Sequence, residues 1–197
     1  MLKISWASSY VLPLPSNHRF PMSKYEILPQ QLLYEGTITS ANLFEPAPLP
    51  EEVIVRTHQA DYWQRLNNLE LTPKEIRRTG FPLTPELVNR EITIAKGTID
   101  CALFAKQFGV AMNIAGGTHH AFTNRGEGFC LLNDIAIASN YLLDHQLAKK
   151  ILVVDLDVHQ GNGTAEIFRN DQRVFTFSMH GANNYPLHKE TSDLDIS

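Results

Sequence analysis

Cysteine is scarce: Cys101 and Cys130 are the only two in 197 residues. Two thiols in a chain this long argue against a secreted disulfide framework and fit a reducing cytoplasm. They stand far apart in sequence and neither sits beside the Asp/His cluster at 155–159, so they make a poor metal pair. Cys130 has no activating partner in sequence and reads as packed rather than nucleophilic. Positive charge is not in excess. The 17 Lys and Arg against 21 Asp and Glu leave a formal net charge of −4, and no basic cluster stands out. Direct nucleic-acid binding therefore has no electrostatic support. No uninterrupted apolar run is long enough to span a bilayer. Residues 2–14 are broken by Ser and Pro, without the basic-then-apolar order of a secretory leader. The expectation is a cytoplasmic protein with no membrane partner. Internal repeats and low-complexity segments are absent as well.

What is present is the pattern of one α/β domain spanning residues 1–197. The segment Pro46-Ala47-Pro48-Leu49-Pro50 reads as a stiffened surface loop, because the chain before it is too short for a core of its own. From Glu51 onward strands and helices alternate. Residues 52–57 read as a strand and 58–69 as a helix. Thr84-Pro85-Glu86 starts a second helix with a capping Thr, a Pro at the first helical position and an acid. Val88, Ile92, Ala95, Ile99 and Ala102 then mark one buried face, and Gly109 stops the helix. Residues 110–114 read as a strand, 134–147 as a helix, and 151–155 as a fully buried strand. A short helix over 164–168 and a strand over 174–178 follow. This alternation implies a parallel sheet covered on both faces.

The chemistry gathers at the carboxyl ends of those strands, where open α/β sheets bind ligands. His119-His120 follows Gly116-Gly117-Thr118, and Asp155, Asp157 and His159 alternate after the strand that ends at Asp155. In extended chain, alternate side chains point the same way, so this triplet is expected to converge. Carboxylate and imidazole are donor types of a catalytic divalent metal with an open position. Gly161 and Gly163 permit tight backbone close to it. Adjacent histidines diverge, so His119 and His120 are read as acid/base groups, each needing a partner to fix its tautomer. Asp155 and Asn162 are the candidate partners. Gly126-Glu127-Gly128 suggests a shaped loop, and Phe129 reads either as core or as the lining of a narrow apolar channel. His18, His58, His145 and His188 have no such context and read as surface or structural.

Four stretches resemble the histone deacetylase family of the arginase/deacetylase superfamily. They are G-G-T-H-H-A at 116–121, G-F-C-L-L-N-D at 128–134, D-L-D-V-H-Q-G-N-G-T at 155–164 and S-M-H at 178–180. H-R-F-P-M-S-K-Y at 18–25 and G-F-P-L-T-P at 80–85 are similar to its class IV and bacterial branch. The likeness runs along essentially the whole chain. It implies a three-layer α/β fold with a mainly parallel sheet. It further implies Asp157 and His159 as two of three protein ligands of zinc, with ferrous iron as an alternative. His120 becomes general base and acid, and Asp155 orients His119. A structural potassium site is implied at Asp155, Asp157, His159, Ser178 and Met179. Gly128 and Phe129 are implied on one wall of an acyl-lysine tunnel, with Tyr185 opposite. Asn162 stands where the best-known zinc deacetylases carry Asp, and a neutral partner stabilises imidazolium less than a carboxylate does.

The family's third ligand, an Asp, and its transition-state Tyr come from a more C-terminal region than Ser197. The expectation is therefore the N-terminal portion of a deacetylase domain, incomplete at its C-terminal side. Such a portion is expected to self-associate or to need a complementing C-terminal chain. The complete enzyme would hydrolyse an N-acyl-lysine in a protein or peptide, or an acyl-polyamine. Two rival readings are a two-manganese ureohydrolase, which needs a further Asp, and a non-catalytic interaction protein.

Overall fold

The computed structural model describes residues 1–197. Six strands form two parallel three-stranded sheets. In the first, β1 (Lys3–Ser5) lies between β2 (Leu43–Phe44) and β3 (Ala111–Asn113). In the second, β5 (Val174–Met179) lies between β4 (Ile151–Asp155) and β6 (Leu194–Ile196). The helices are α1 (Lys24–Tyr34), α2 (Glu51–Ile54), α3 (Ala60–Asn67), α4 (Pro73–Thr79), α5 (Pro85–Phe108), α6 (Asp134–Asp144) and α7 (Asn162–Phe168).

The long helix α5 has the bounds its sequence signals demand. Thr84 accepts a hydrogen bond from the Leu87 amide, and Gly109 takes φ +84° beyond the last turn. Val88, Ala95 and Ile99 are buried, while Ile92 packs partly exposed at the core margin. Gly97 lets the helix press onto β1 and the turn after it: a Cβ there would collide with the Ser5 hydroxyl and fall 2.6 Å from the Tyr10 hydroxyl. This large core of 22 buried residues joins α5 to α3, α6 and the N-terminal segment. A smaller one, built on Leu143, Val153, Phe168 and Val174, lies between the second sheet and helices α6 and α7.

Several expectations are corrected. Residues 52–57 are not a strand; Glu51–Ile54 is a helical turn that starts after Pro50, with Glu51 and Glu52 at its positive end. The helix expected from His58 begins only at Ala60, and α6 ends at Asp144 rather than 147. Sequence alone assigns no element to the first fifty residues. They supply β1, α1 and β2, and β1 is the central strand of its sheet. The strand at 151–155 is not fully buried, nor is its sheet covered on both faces. Leu152 is 63% exposed, Val154 52%, Phe175 47% and Ile196 46%. The opposite face, carrying Val153, Val174 and Thr176, is buried.

Candidate active site

β4 and β5 run in register, with Asp155 beside Ser178. Both strands therefore deliver their C-terminal polar residues to one edge. Asp155 is the last residue of β4, and residues 156–160 form bends rather than extended chain. Two short side-chain bonds shape the bends. Asp155 Oδ1 accepts from the Asp157 amide at 3.0 Å, and Asp157 Oδ1 from the His159 amide at 2.7 Å. This is the local turn chemistry of aspartate. It overrides the alternation of a strand and separates the triplet: Asp155 turns toward His119, while Asp157 and His159 stay together.

The loop carrying the histidines is held from below by Asp134, a buried carboxylate at the start of α6. It accepts from the Thr118 amide at 2.7 Å, the Thr118 hydroxyl at 2.6 Å and the Thr98 hydroxyl at 2.5 Å. The Gly117 amide adds a weaker bond at 3.1 Å. Asn133 caps α6 through the Ala136 amide and donates to the Ala121 carbonyl and the Thr164 hydroxyl. Asp134, Asn133 and Thr118 position the site, and sequence reasoning gave them no role. Their only signal was membership of the stretches at 116–121 and 128–134.

The two histidines then diverge to different partners. His119 Nδ1 lies 2.5 Å from Asp155 Oδ2, and His120 Nδ1 lies 2.7 Å from Asn162 Oδ1. The Gly163 amide also bonds Asn162 Oδ1, at 3.0 Å. An amide oxygen only accepts, so His120 Nδ1 carries the proton and Nε2 keeps its lone pair. The rings stand 4.1 Å apart, centroid to centroid. Burial, then the neighbouring His119, pushes the His120 pKa down to about 4. His120 is thus neutral and able to accept a proton at neutral pH.

Asp157 Oδ1 and His159 Nδ1 lie 3.3 Å apart on half-exposed side chains. That matches the edge of about 3.3 Å made by two donors at roughly 2.0–2.1 Å in a tetrahedral set. The donor types and spacing fit part of a zinc site. No cluster of three His, Cys, Asp or Glu side chains forms a complete ligand set in this chain. Asp155 and Ser178 are neighbours, with Met179 next in β5, but Ser178 Oγ pairs with His180 Nδ1 at 2.9 Å.

A cavity of about 360 Å³ joins these groups, lined by His119, His120, Asp157 and His159 with Phe20 and Phe129. Phe129 takes φ +67° and packs on Phe20 and Phe81. Gly128 passes directly beneath His120, where a Cβ would lie 2.7 Å from the ring. Tyr185 stands edge-on to His120 with centroids 5.0 Å apart, and its hydroxyl donates to Glu127. It also stands edge-on to His159 at 5.9 Å, and it lines a neighbouring groove with Arg78 and Pro186. Cys130 is buried and its thiol pKa is pushed up by that burial, so it stays protonated. His58 is buried, whereas His145 lies at the surface.

Comparison with known proteins bears on the fold and the family. The histone deacetylase domain model matches residues 18–196. An uncharacterized protein of Picosynechococcus is 48% identical over 95% of this chain and 62% of its own length. Histone deacetylase 2 of Arabidopsis thaliana is 27% identical over 94% of this chain and 50% of its own. The crystal structure of an HDAC homolog from Aquifex aeolicus superposes with a TM-score of 0.82 at 25% identity, covering 99% of this chain and 58% of that one. An HDAC homolog complexed with SAHA gives 0.83 with the same coverage. The chain thus spans between half and two thirds of these relatives. The parallel α/β architecture is the arginase/deacetylase-like fold, and the match over 18–196 shows that the chain belongs to the histone deacetylase family.

Proposed function

We propose that these residues are the catalytic half-site of a metal-dependent deacylase acting on N-acyl-lysine or a related acyl amide. The observation that carries this reading is the pair of divergent histidines, each with its own partner, facing Asp157 and His159 across one cavity. Family membership and the SAHA complex of a structural relative support the substrate class.

Asp157 and His159 would hold zinc, or ferrous iron, together with a further ligand. Such an ion, when bound, supplies Lewis-acid polarisation of the acyl carbonyl. The protein's own groups handle the protons. His120 Nε2 accepts the proton of the attacking water and returns it to the leaving amine nitrogen. Asn162 holds the Nδ1–H tautomer through that cycle. Asp155 fixes the His119 ring beside it. Phe129 and Phe20 give the cavity an apolar side that suits an acyl-lysine stem. Asp155, with Ser178, Met179 and the backbone of Asp157 and His159, is the proposed structural potassium site. Two buried free thiols support a reducing cytoplasm as the compartment.

The test is hydrolysis of acyl-lysine peptides and acyl-polyamines by the full-length protein loaded with zinc or ferrous iron. Turnover that depends on His120 and on added metal supports the reading. Equal turnover by wild type and His120→Ala overturns it.

A further inference from the structure

Asn162 is the weak point of the general-base arrangement. A carboxylate in its place accepts a proton with either oxygen, but an amide has one accepting end and one donating end. Flipped by half a turn, Asn162 would present its NH2 group to His120 Nδ1. The imidazole proton would then have to move to Nε2, the atom that must stay free to act as base.

Two groups of fixed polarity oppose that flip. The Gly163 amide can only donate, and it holds Oδ1 at 3.0 Å. On the other side, Asn162 Nδ2 donates to Glu127 Oε1 at 2.8 Å. An ionised carboxylate can only accept, so Glu127 faces the NH2 end. Glu127 is itself placed by two further contacts. The Tyr185 hydroxyl donates to the same Oε1 at 3.1 Å, and Arg125 Nε lies 3.5 Å from Oε2. The backbone on either side is pressed tightly into the site. A Cβ on Gly126 would lie 2.7 Å from the Cys130 carbonyl oxygen, and one on Gly128 2.7 Å from the His120 ring. Glycines flank Glu127 because the backbone that carries its carboxylate to Asn162 follows a path with no room for side chains.

We propose that Glu127 is a positioning residue for the general base: its carboxylate locks the Asn162 amide so that His120 keeps its proton on Nδ1 and its lone pair on Nε2. The charge that other relatives are expected to place directly on the histidine stands here one residue further out and acts through an amide. This inference rests on the deacylase reading for its functional meaning, but its structural content does not need a substrate. The titratable groups around His120 are His119, His159, Glu127, Tyr185 and Cys130. Of these, Glu127 alone is hydrogen-bonded to the Asn162 side chain.

The experiment reads the tautomer directly. Long-range proton–nitrogen correlation spectra of 15N-histidine-labelled protein at neutral pH distinguish a protonated from an unprotonated ring nitrogen. Wild type is expected to show His120 protonated on Nδ1. Glu127→Leu, which removes the acceptor, is expected to lower the ratio of Nδ1–H to Nε2–H about fivefold or more, the effect of one lost hydrogen bond. Glu127→Gln, which keeps one accepting oxygen but can also turn its own NH2 toward Asn162, is expected to lower it less. The same substitutions are then made beside Asn162→Asp, whose two oxygens need no orienting. There the tautomer is expected to be insensitive to position 127. An unchanged tautomer in folded Glu127→Leu overturns the proposal. So does an equal loss in both backgrounds, which marks Glu127 as general support for the loop. A tautomer that responds as expected in a full-length protein with no deacylase activity sinks the functional reading and leaves the role of Glu127 standing.

Discussion

Asp155 Oδ2 meets His119 Nδ1 at 2.5 Å, and Gly161 passes directly behind this pair. A Cβ on Gly161 would collide with that same carboxylate oxygen and come within 3.3 Å of His119 Nδ1. Gly161→Ala is therefore expected to displace Asp155 and free the His119 ring. Turnover should fall about tenfold or more, as small misplacements at reacting centres do, while the melting temperature changes little. Full activity in Gly161→Ala would show that Asp155 can shift without consequence.

Asp157 and His159 share one edge of the cavity, and His120 faces them with its ring centroid 6.1 Å from that of His159. Alanine at 157 or 159 is expected to abolish metal uptake measured by atomic absorption, along with activity. Alanine at 120 should leave the metal in place and lower kcat by roughly two or more orders of magnitude. Loss of metal in His120→Ala would instead identify that side chain as a ligand.

Asp134 accepts four hydrogen bonds from the Thr98 and Thr118 hydroxyls and the Gly117 and Thr118 amides, at 1% exposure. Asp134→Ala leaves the buried Thr118 amide and the half-buried Thr98 hydroxyl without their acceptor, while the Thr118 hydroxyl keeps the Leu132 carbonyl and the Gly117 amide is exposed. A buried donor left unpaired costs about 1–3 kcal/mol. A destabilisation of about 2 kcal/mol or more is expected in urea unfolding. Asp134→Asn should cost less, because the amide keeps one accepting oxygen.

His58 donates from Nδ1 to the Phe122 carbonyl and accepts at Nε2 from the Asn133 amide. Both ring nitrogens are used by the neutral form, and burial holds its pKa down to about 4, against 6.5 ordinarily. Below pH 6.5 the unfolded chain binds a proton that the native state refuses. The His58 contribution should therefore be full above that pH, fall between about 6.5 and 4, and level off below, by an amount on the order of 3 kcal/mol. His120, depressed for the same main reason, adds a loss of the same sign. His58→Gln should be less stable at pH 7 yet lose about half of this slope. Unfolding curves collected across that pH range decide it.

Leu152 and Phe175 are register partners on the open face of the second sheet. Together with Val154, Met179, Leu194 and Ile196 they expose a continuous apolar surface, which favours association. Residues 1–197 alone are expected to self-associate in sedimentation experiments. Leu152→Glu combined with Phe175→Lys should shift them toward monomer without loss of helical signal, since opposite charges across a strand pair are tolerated.

The helix over 85–108 was legible because its start and stop are local: Thr84 and Pro85 at one end, Gly109 at the other. The segment Glu51–Ile54 was not, because four residues with two acids and two β-branched side chains suit a strand as well as a helical turn. Only the packing of Ile54 into the core chose between them. The first two strands were missed for a similar reason. With three and two residues they carry no period of their own, and β1 is defined by the neighbours on its two sides.

The sequence by itself singled out the groups proposed to carry the chemistry. His119, His120, Asp155, Asp157, His159 and Asn162 announce themselves by residue type, tight spacing and position after apolar strands, and those are properties of short stretches of chain. Tertiary structure decided what each group touches. Asn162 reaches Glu127 across 35 residues, Thr118 reaches Asp134 across 16, and His58 reaches Asn133 across 75. Hydrogen bonds of that range depend on how separate elements pack, and no local period encodes them. The same holds for the open face of the second sheet. Its Leu, Val and Phe residues are the types found in any buried parallel strand, and exposure depends on which layers of the molecule lie against them.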